Sequence, residues 1–221
     1  MDKEQVKQEF LSVYRQNIKR DGADRLLEWL LETDFFEAPA STRYHGSYPG
    51  GLAEHSLNVY RELVKLLENA ENLGAKIEKG GYTDETVAIV ALLHDVCKAQ
   101  FYTVEYKNQK NYDADAVNEM KKTNPGEVKK DSRGEFFWEP TQRYTIDELF
   151  PIGHSEKSVI LIQGFMRLTS DEIMAIRAHM GGWDTSVKGG DRFIGQIYEK
   201  CELALFTHIA DMMANYLLEQ D

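Results

Sequence analysis

The 221-residue chain is predicted to be mainly α-helical, with a small β-ribbon inserted around residues 101–146. Two observations lead there. Apolar residues recur at spacings of three and four over most of the chain, the period of a helix that buries one face. Between 101 and 146 that period gives way to "FYTVEYKN" and "FFWEPTQRYTID", which are rich in aromatic, Val and Thr residues, as strands are. No internal repeat is visible, and the length suffices for one sizeable core. The expectation is a single domain over 1–221, with 1–43 as an N-terminal helical segment and 101–146 as a β-rich insertion.

The elements follow in order. Residues 3–19 and 23–33 carry Phe10, Val13 and Tyr14, then Leu26, Leu27, Leu30 and Leu31, at helical spacing, and Asp21-Gly22 marks the break. From Phe35 to Gly51 the residues Pro39, Gly46, Pro49, Gly50 and Gly51 punctuate a loop that feeds a helix running from about Leu52 to Ala70. His55, Val59, Leu63, Leu66 and Ala70 share one stripe of it, so His55 faces the core. Thr83 caps the next helix, with Asp84 and Glu85 in its positive first turn, and the apolar run continues to Lys98. After the ribbon, whose polar stretch Asn118–Gly134 reads as a mobile tip, helical spacing returns at about Ser155–Leu168. A capping box of Thr169 with Glu172 starts a helix that stops at Gly181-Gly182. The last helical region spans about Asp191–Leu218, with a bend near Cys201.

Composition narrows the function. A formal net charge of −11 argues against broad binding of a nucleic-acid backbone, which needs clustered Lys and Arg. The ribbon region 101–145 is locally neutral, with eight Lys or Arg against eight Asp or Glu. The opening MDKEQVKQEF has no apolar signal core, and no run is long and apolar enough to span a bilayer. A cytoplasmic protein with no membrane contact is expected. Two cysteines, Cys97 and Cys201, are too few for a disulfide framework or a four-thiolate site and read as packed thiols.

The chemistry concentrates in "ALLHDVCK" and "THIADMMANYL". In the first, His94 and Asp95 stand side by side, and Lys98 shares their side of the helix at i+4 and i+3. In the second, His208 and Asp211 lie three residues apart on an apolar helix. A lone core histidine such as His55 is more often hydrogen-bonded than ligating, but Asp95 and Asp211 are harder to dismiss, because a buried carboxylate needs a partner. One shared metal ion satisfies three helices at once.

The ordered set "GGLAEHSLNVY", "LLHDVCK", "GHSEKS", "IRAHMGG" and "HIAD" resembles the HD-domain superfamily of metal-dependent phosphohydrolases over roughly residues 44–217. The resemblance implies an all-helical HD fold in which His55, His94, Asp95 and Asp211 bind one divalent transition-metal ion. It further implies that His154 and His179 hold a second, with the Asp95 carboxylate bridging. The turn Val96-Cys97-Lys98 departs from the Ile-Gly-Lys of many members but keeps the lysine. His45, in "RYHGSYPGG", and His208 are extra to the minimal signature. His45 is read as a substrate-binding residue or a support behind the ligands or, equally, a loop histidine in solvent, and His208 as a support behind the ligands.

The expected activity is hydrolysis of a phosphoester by metal-activated water. Asp95 and Lys98 would be the catalytic pair, and Lys98 would also bind the substrate by offsetting phosphoryl charge. Imidazole and carboxylate donors suit Fe, Mn, Zn, Co or Ni alike. The substrate would be a nucleotide, a nucleic-acid end or another small phosphoester. The aromatics of the ribbon offer base-stacking surfaces or, more commonly, the packed face of a sheet. Two alternatives use the same pocket: a di-iron oxygenase, and a nucleotide sensor without turnover. Nothing in the sequence sets the oligomeric state.

Overall fold

The computed structural model describes residues 2–77 and 81–219 and is mainly helical, with one small sheet. The helices are α1 (Lys3–Asn17), α2 (Ala23–Glu32), α3 (Gly51–Glu68), α4 (Asp84–Leu93), α5 (Ala114–Thr123), α6 (His154–Gln163), α7 (Ser170–Ala178), α8 (Thr185–Lys188), α9 (Phe193–Lys200) and α10 (Glu202–Met213), and α10 continues into a π-helical turn at Ala214–Leu218. The strands are β1 (Tyr102–Asn111), β2 (Lys129–Asp131) and β3 (Gly134–Ile146), in the order β1-β3-β2. The chain divides into two compact units, one of residues 1–102 with 147–221 and one of residues 103–146. No helix among the described residues is long and apolar enough to cross a membrane.

In the larger unit α4 is the central element, because its residues from Val87 to Leu93 are all buried. A helix apolar on every side belongs in the middle of a bundle, and α1, α3 and α7 pack around it. Full burial of Leu92 and Leu93 stabilises the fold by about 1.5–3 kcal/mol each. Against α1, Phe10 meets Phe35 and Phe36 at ring-centroid distances of 5.2 and 5.3 Å, and the Tyr14 hydroxyl donates to the Ala23 carbonyl at 2.8 Å. Helix α10 packs on α3 and α7, and through them the bundle brings distant histidines together.

Both expected caps form. Thr83 Oγ1 accepts from the Thr86 amide at 3.1 Å, and the Thr169–Glu172 box closes with bonds of 2.8 and 3.3 Å. Glu172 is fully buried and takes a two-pronged bond from Arg20, both contacts at 2.8 Å, which satisfies a carboxylate that could not otherwise leave water.

Three expectations change. The helix expected to continue to Lys98 ends at Leu93, and a 3-10 turn, Val96–Lys98, follows. The expected terminal helix is broken at Cys201, whose extended backbone (φ −136°, ψ 96°) separates α9 from α10. Within the insertion, the stretch expected as a mobile tip contains most of α5. Asp113 caps that helix by accepting from the Ala116 amide at 2.8 Å, and Val117 is buried. Strand β2 then pairs antiparallel with β3, Lys129 opposite Phe136. In this smaller unit Phe136 packs near Tyr112 and Trp138 at 5.5 and 5.8 Å, with Lys110 Nζ 4.3 Å from the Phe136 ring centre. Phe136 is buried in this group, while Trp138 stays 44% exposed.

Candidate metal centre

Each buried histidine owes its aim to the helix that carries it. His94 and His179 stand at the C-terminal caps of α4 and α7, where the last carbonyls of a helix lack intrahelical partners. His94 Nδ1 lies 2.8 Å from the Ala91 carbonyl and His179 Nδ1 lies 2.6 Å from the Ile176 carbonyl. A carbonyl only accepts, so Nδ1 carries a proton in both rings and Nε2 presents a lone pair whenever the ring is neutral. His55 sits in the second turn of α3, and its Nδ1 faces Glu219 at 3.1 Å, which fixes the same tautomer whenever that ring is neutral.

The lone-pair faces converge. His55 Nε2 is 3.2 Å from His94 Nε2 and 3.2 Å from Asp211 Oδ1. Asp95 follows directly after His94 but leaves the helix (φ −108°, ψ 17°), and its two oxygens serve different neighbours. Oδ2 lies 3.4 Å from His94 Nε2, 3.8 Å from His55 Nε2 and 2.7 Å from Lys98 Nζ. Oδ1 lies 2.6 Å from His154 Nε2 and 3.4 Å from His179 Nε2. His55, His94, Asp95 and His179 are all at most 2% exposed. His179 Nε2 is buried with no hydrogen-bond partner among the described residues, and at 3.4 Å Asp95 Oδ1 lies beyond ordinary hydrogen-bond length.

The electrostatics match. Burial raises the Asp95 carboxyl, but Lys98, His94 and His154 hold it well below the usual carboxylate range. Burial works against Asp211 too, and the His55 hydrogen bond with the histidine charges keeps it ionised. Burial lowers His94 and His154. Burial also lowers His55, yet hydrogen bonds to Asp211 and Glu219 outweigh it and raise the group to about 10. A proton on His55 Nε2 would therefore satisfy the His94 and Asp211 contacts, but it would leave His179 Nε2 unpartnered. Burial depresses the Lys98 ammonium, and Asp95 more than restores it.

Six expected residues, His55, His94, Asp95, His154, His179 and Asp211, thus lie around one point. Donor atoms of His55, His94 and Asp211 fall within 4.8 Å of one another, as do those of His94, Asp95 and His179, and those of Asp95, Cys97 and His154. Lys98 stands beside them. His45, on the loop before α3, lies with its ring centre 5.1 Å from that of His55, and burial together with the charges of His55 and Lys98 lowers it to about 4. His208 faces away from the cluster: its Nδ1 donates to the His179 carbonyl at 2.6 Å, and its ring stacks on Tyr198.

Sequence reasoning missed four neighbours. Asn58, one turn after His55 on α3, donates to Glu219 Oε1 at 2.8 Å, and its i+3 spacing was a usable signal. Asn215 donates to Asp211 at 3.0 Å, again one turn away. Cys97, expected as a packed thiol, is buried but also has Sγ 3.3 Å from His154 Nδ1, and burial pushes the thiol up to about 12. Glu219 gave no signal. A cavity of about 700 Å3 opens on the cluster, reached by His55, Asp95, Lys98 and Asp211 on its floor and by Tyr44, Trp183, Lys188 and Tyr216 toward its mouth.

These buried His, Asp and Cys groups lie close enough together to hold a metal ion. Burial lowers His179, but its Asp95 contact and the charges of Asp95 and Asp211 raise it on balance, so imidazoles and ionised carboxylates crowd together here as donors that a bound cation would also satisfy. No family model matches the chain, nor does any curated protein or solved structure.

Proposed function

We propose that this protein is a metal-dependent phosphohydrolase of the HD-domain type. The observation that carries the reading is the convergence of the Nε2 atoms of His94, His154 and His179 on the two oxygens of Asp95, with no hydrogen bond to His179 Nε2 among the described residues. His55, His94, Asp95 and Asp211 would hold one ion, and His154 and His179 with the other oxygen of Asp95 a second. Such a centre supplies a water acidified toward pKa ~7 and a positive charge for phosphoryl oxygens.

The protein's own groups do the rest. The Lys98 ammonium has three donors and spends one on Asp95 at 2.7 Å. The other two, with no ion pair among the described residues, would bind a phosphoryl oxygen as charge builds on it. Asp95 orients Lys98 and the histidines together, so its charge is shared by every group at the reacting end. The buried walls keep bulk water from weakening these contacts.

The mouth of the cavity supports a phosphoester carrying a flat ring. Tyr44, Trp183 and Tyr216 line it and are 80%, 55% and 55% exposed, an arrangement that leaves aromatic faces open for stacking. Trp183 stands on a pinned turn, because Asp184 caps α8 and takes a contact from Arg177 at 3.2 Å. Lys188, with Nζ 6.0 Å from the Trp183 ring centre, adds a cation there. A nucleotide has the ring and the negative charge this mouth would accept. The test is release of phosphate or nucleoside monophosphate from a panel of nucleotides and ringless phosphoesters by protein loaded separately with Mn2+, Zn2+, Co2+, Ni2+ and Fe2+, before and after chelation. Absence of chelator-sensitive hydrolysis throughout would overturn the reading.

A further inference from the structure

Three buried histidines present Nε2 to the cluster, and each needs an acceptor behind its Nδ1 proton. For His94 and His179 the fold supplies one locally, because both cap helices and take the carbonyls of Ala91 and Ile176. His55 takes no carbonyl. It lies inside α3, where each carbonyl already accepts in the helix ladder and that of Leu52 takes the Ser56 hydroxyl at 3.0 Å as its second bond.

The acceptor comes from 164 residues away. Glu219 places Oε1 and Oε2 at 3.2 and 3.1 Å from His55 Nδ1. Its side chain is 4% exposed, so the carboxylate gives up water to reach this position, a cost that fails unless the group is bonded in place. Asn58 supplies that bond at 2.8 Å. The π-helical turn Ala214–Leu218 delivers it. Asp211, Asn215, Tyr216 and Glu219 all line the same cavity, and π-turns are frequent at functional sites.

We infer that Glu219 is a positioning residue for the metal centre: held by Asn58 and presented by the π-turn, it fixes the tautomer and orientation of His55 and raises its strength as a ligand. A carboxylate behind a ligating imidazole does both. The inference rests on the proposed metal site and extends it to the end of the last helix. The competing account is structural, an ion pair between His55 and two carboxylates that holds the π-turn down and has no bearing on metal.

Metal affinity separates the two. Zn2+ and Mn2+ binding is measured by calorimetric titration on the full chain and on Glu219→Ala, Glu219→Gln and Asn58→Ala, with circular dichroism and melting temperature recorded on the same samples. Glu219→Ala is expected to weaken binding about 10–100-fold. Glu219→Gln keeps a neutral acceptor for the Nδ1 proton and should recover most of that loss. Asn58→Ala, which leaves the His55 bond but loosens Glu219, should fall between wild type and Glu219→Ala, and it serves as the decisive variant if Glu219→Ala does not fold. Wild-type affinity within twofold in Glu219→Ala, or in Asn58→Ala where it must stand in, overturns the inference while the metal site stands. Equal losses in the Gln and Ala variants also overturn it, because the bond geometry would then be irrelevant. Failure of the wild-type chain to bind either ion sinks the proposed function itself, and the inference with it.

Discussion

Replacing Asp95 by Asn tests the centre at its most connected point. The change keeps the side chain's shape and removes the charge that contacts Lys98 at 2.7 Å, His154 at 2.6 Å and two further histidine nitrogens at 3.4 Å. Two effects follow, of different size in the two states. Without metal, the Lys98 side chain, 12% exposed, loses its counter-charge, and breaking a nearly buried pair costs about 3–5 kcal/mol. Relief of the Asp95 desolvation offsets part of that. With metal, the native chain at a concentration about 1,000 times the dissociation constant gains roughly 4 kcal/mol of stability by mass action, which for a chain of this size raises the melting temperature by about 8–16 °C. Asp95→Asn should lose nearly all of that metal-induced gain, because either ion would lose an anionic ligand. The assay is calorimetric melting of both proteins with Zn2+ or Mn2+ and with chelator, beside elemental analysis. A variant that keeps its metal and melts upward by the wild-type increment would refute the convergence argument, whatever its activity.

The remaining predictions address the mouth, the turn behind the centre and the acid limb. Trp183→Ala should raise KM for nucleotide substrates by roughly 5- to 150-fold, the equivalent of about 1–3 kcal/mol for one stacked base, and leave kcat, melting temperature and the KM for a ringless phosphoester near wild type. Equal KM changes for both substrates would remove the stacking role. Gly181→Ala should destabilise the fold by about 1–2 kcal/mol from backbone strain alone, since Gly181 has φ +52°, and by more if His208 cannot yield to an added Cβ that would lie 2.5 Å from its Cε1; an unchanged melting temperature would contradict the strain. Glu85 accepts from the Lys19 and Arg20 amides at 2.7 and 2.9 Å; burial raises its carboxyl, but those bonds and the Arg20 charge lower it on balance. Its folded pKa is thus below the unfolded value near 4.3, so its contribution is present above that value and disappears as pH falls through the folded one. Glu85→Gln should therefore be less stable than wild type at pH 7, and the gap should close below about pH 4; a gap independent of pH would contradict the assignment.

The sequence was most informative where one periodicity governed a whole element, and least where an element ended. The run from Val87 to Leu93 announced a buried helix, but not that it would stop at Leu93 and turn Asp95 aside. The stop depends on a side chain meeting a carbonyl, since the His94 imidazole takes the Ala91 oxygen, and spacing does not record such a bond. His55, His94 and Asp211 could be read as inward-facing because each sits on or next to an apolar stripe. Glu219 could not, because a π-turn shifts the phase and takes its carboxylate off any stripe counted from Asp211. The underlying rule concerns where a histidine sits in its helix. At a C-terminal cap the fold supplies a free carbonyl for Nδ1, and sequence reading needs to look no further. Within a helix, as at His55, the carbonyls already accept in the ladder, and here the Nδ1 acceptor comes from elsewhere in the chain. In this fold that contact leads from the second turn of α3 to the last described residue, and it ties the order of the C-terminal turn to the order of the site.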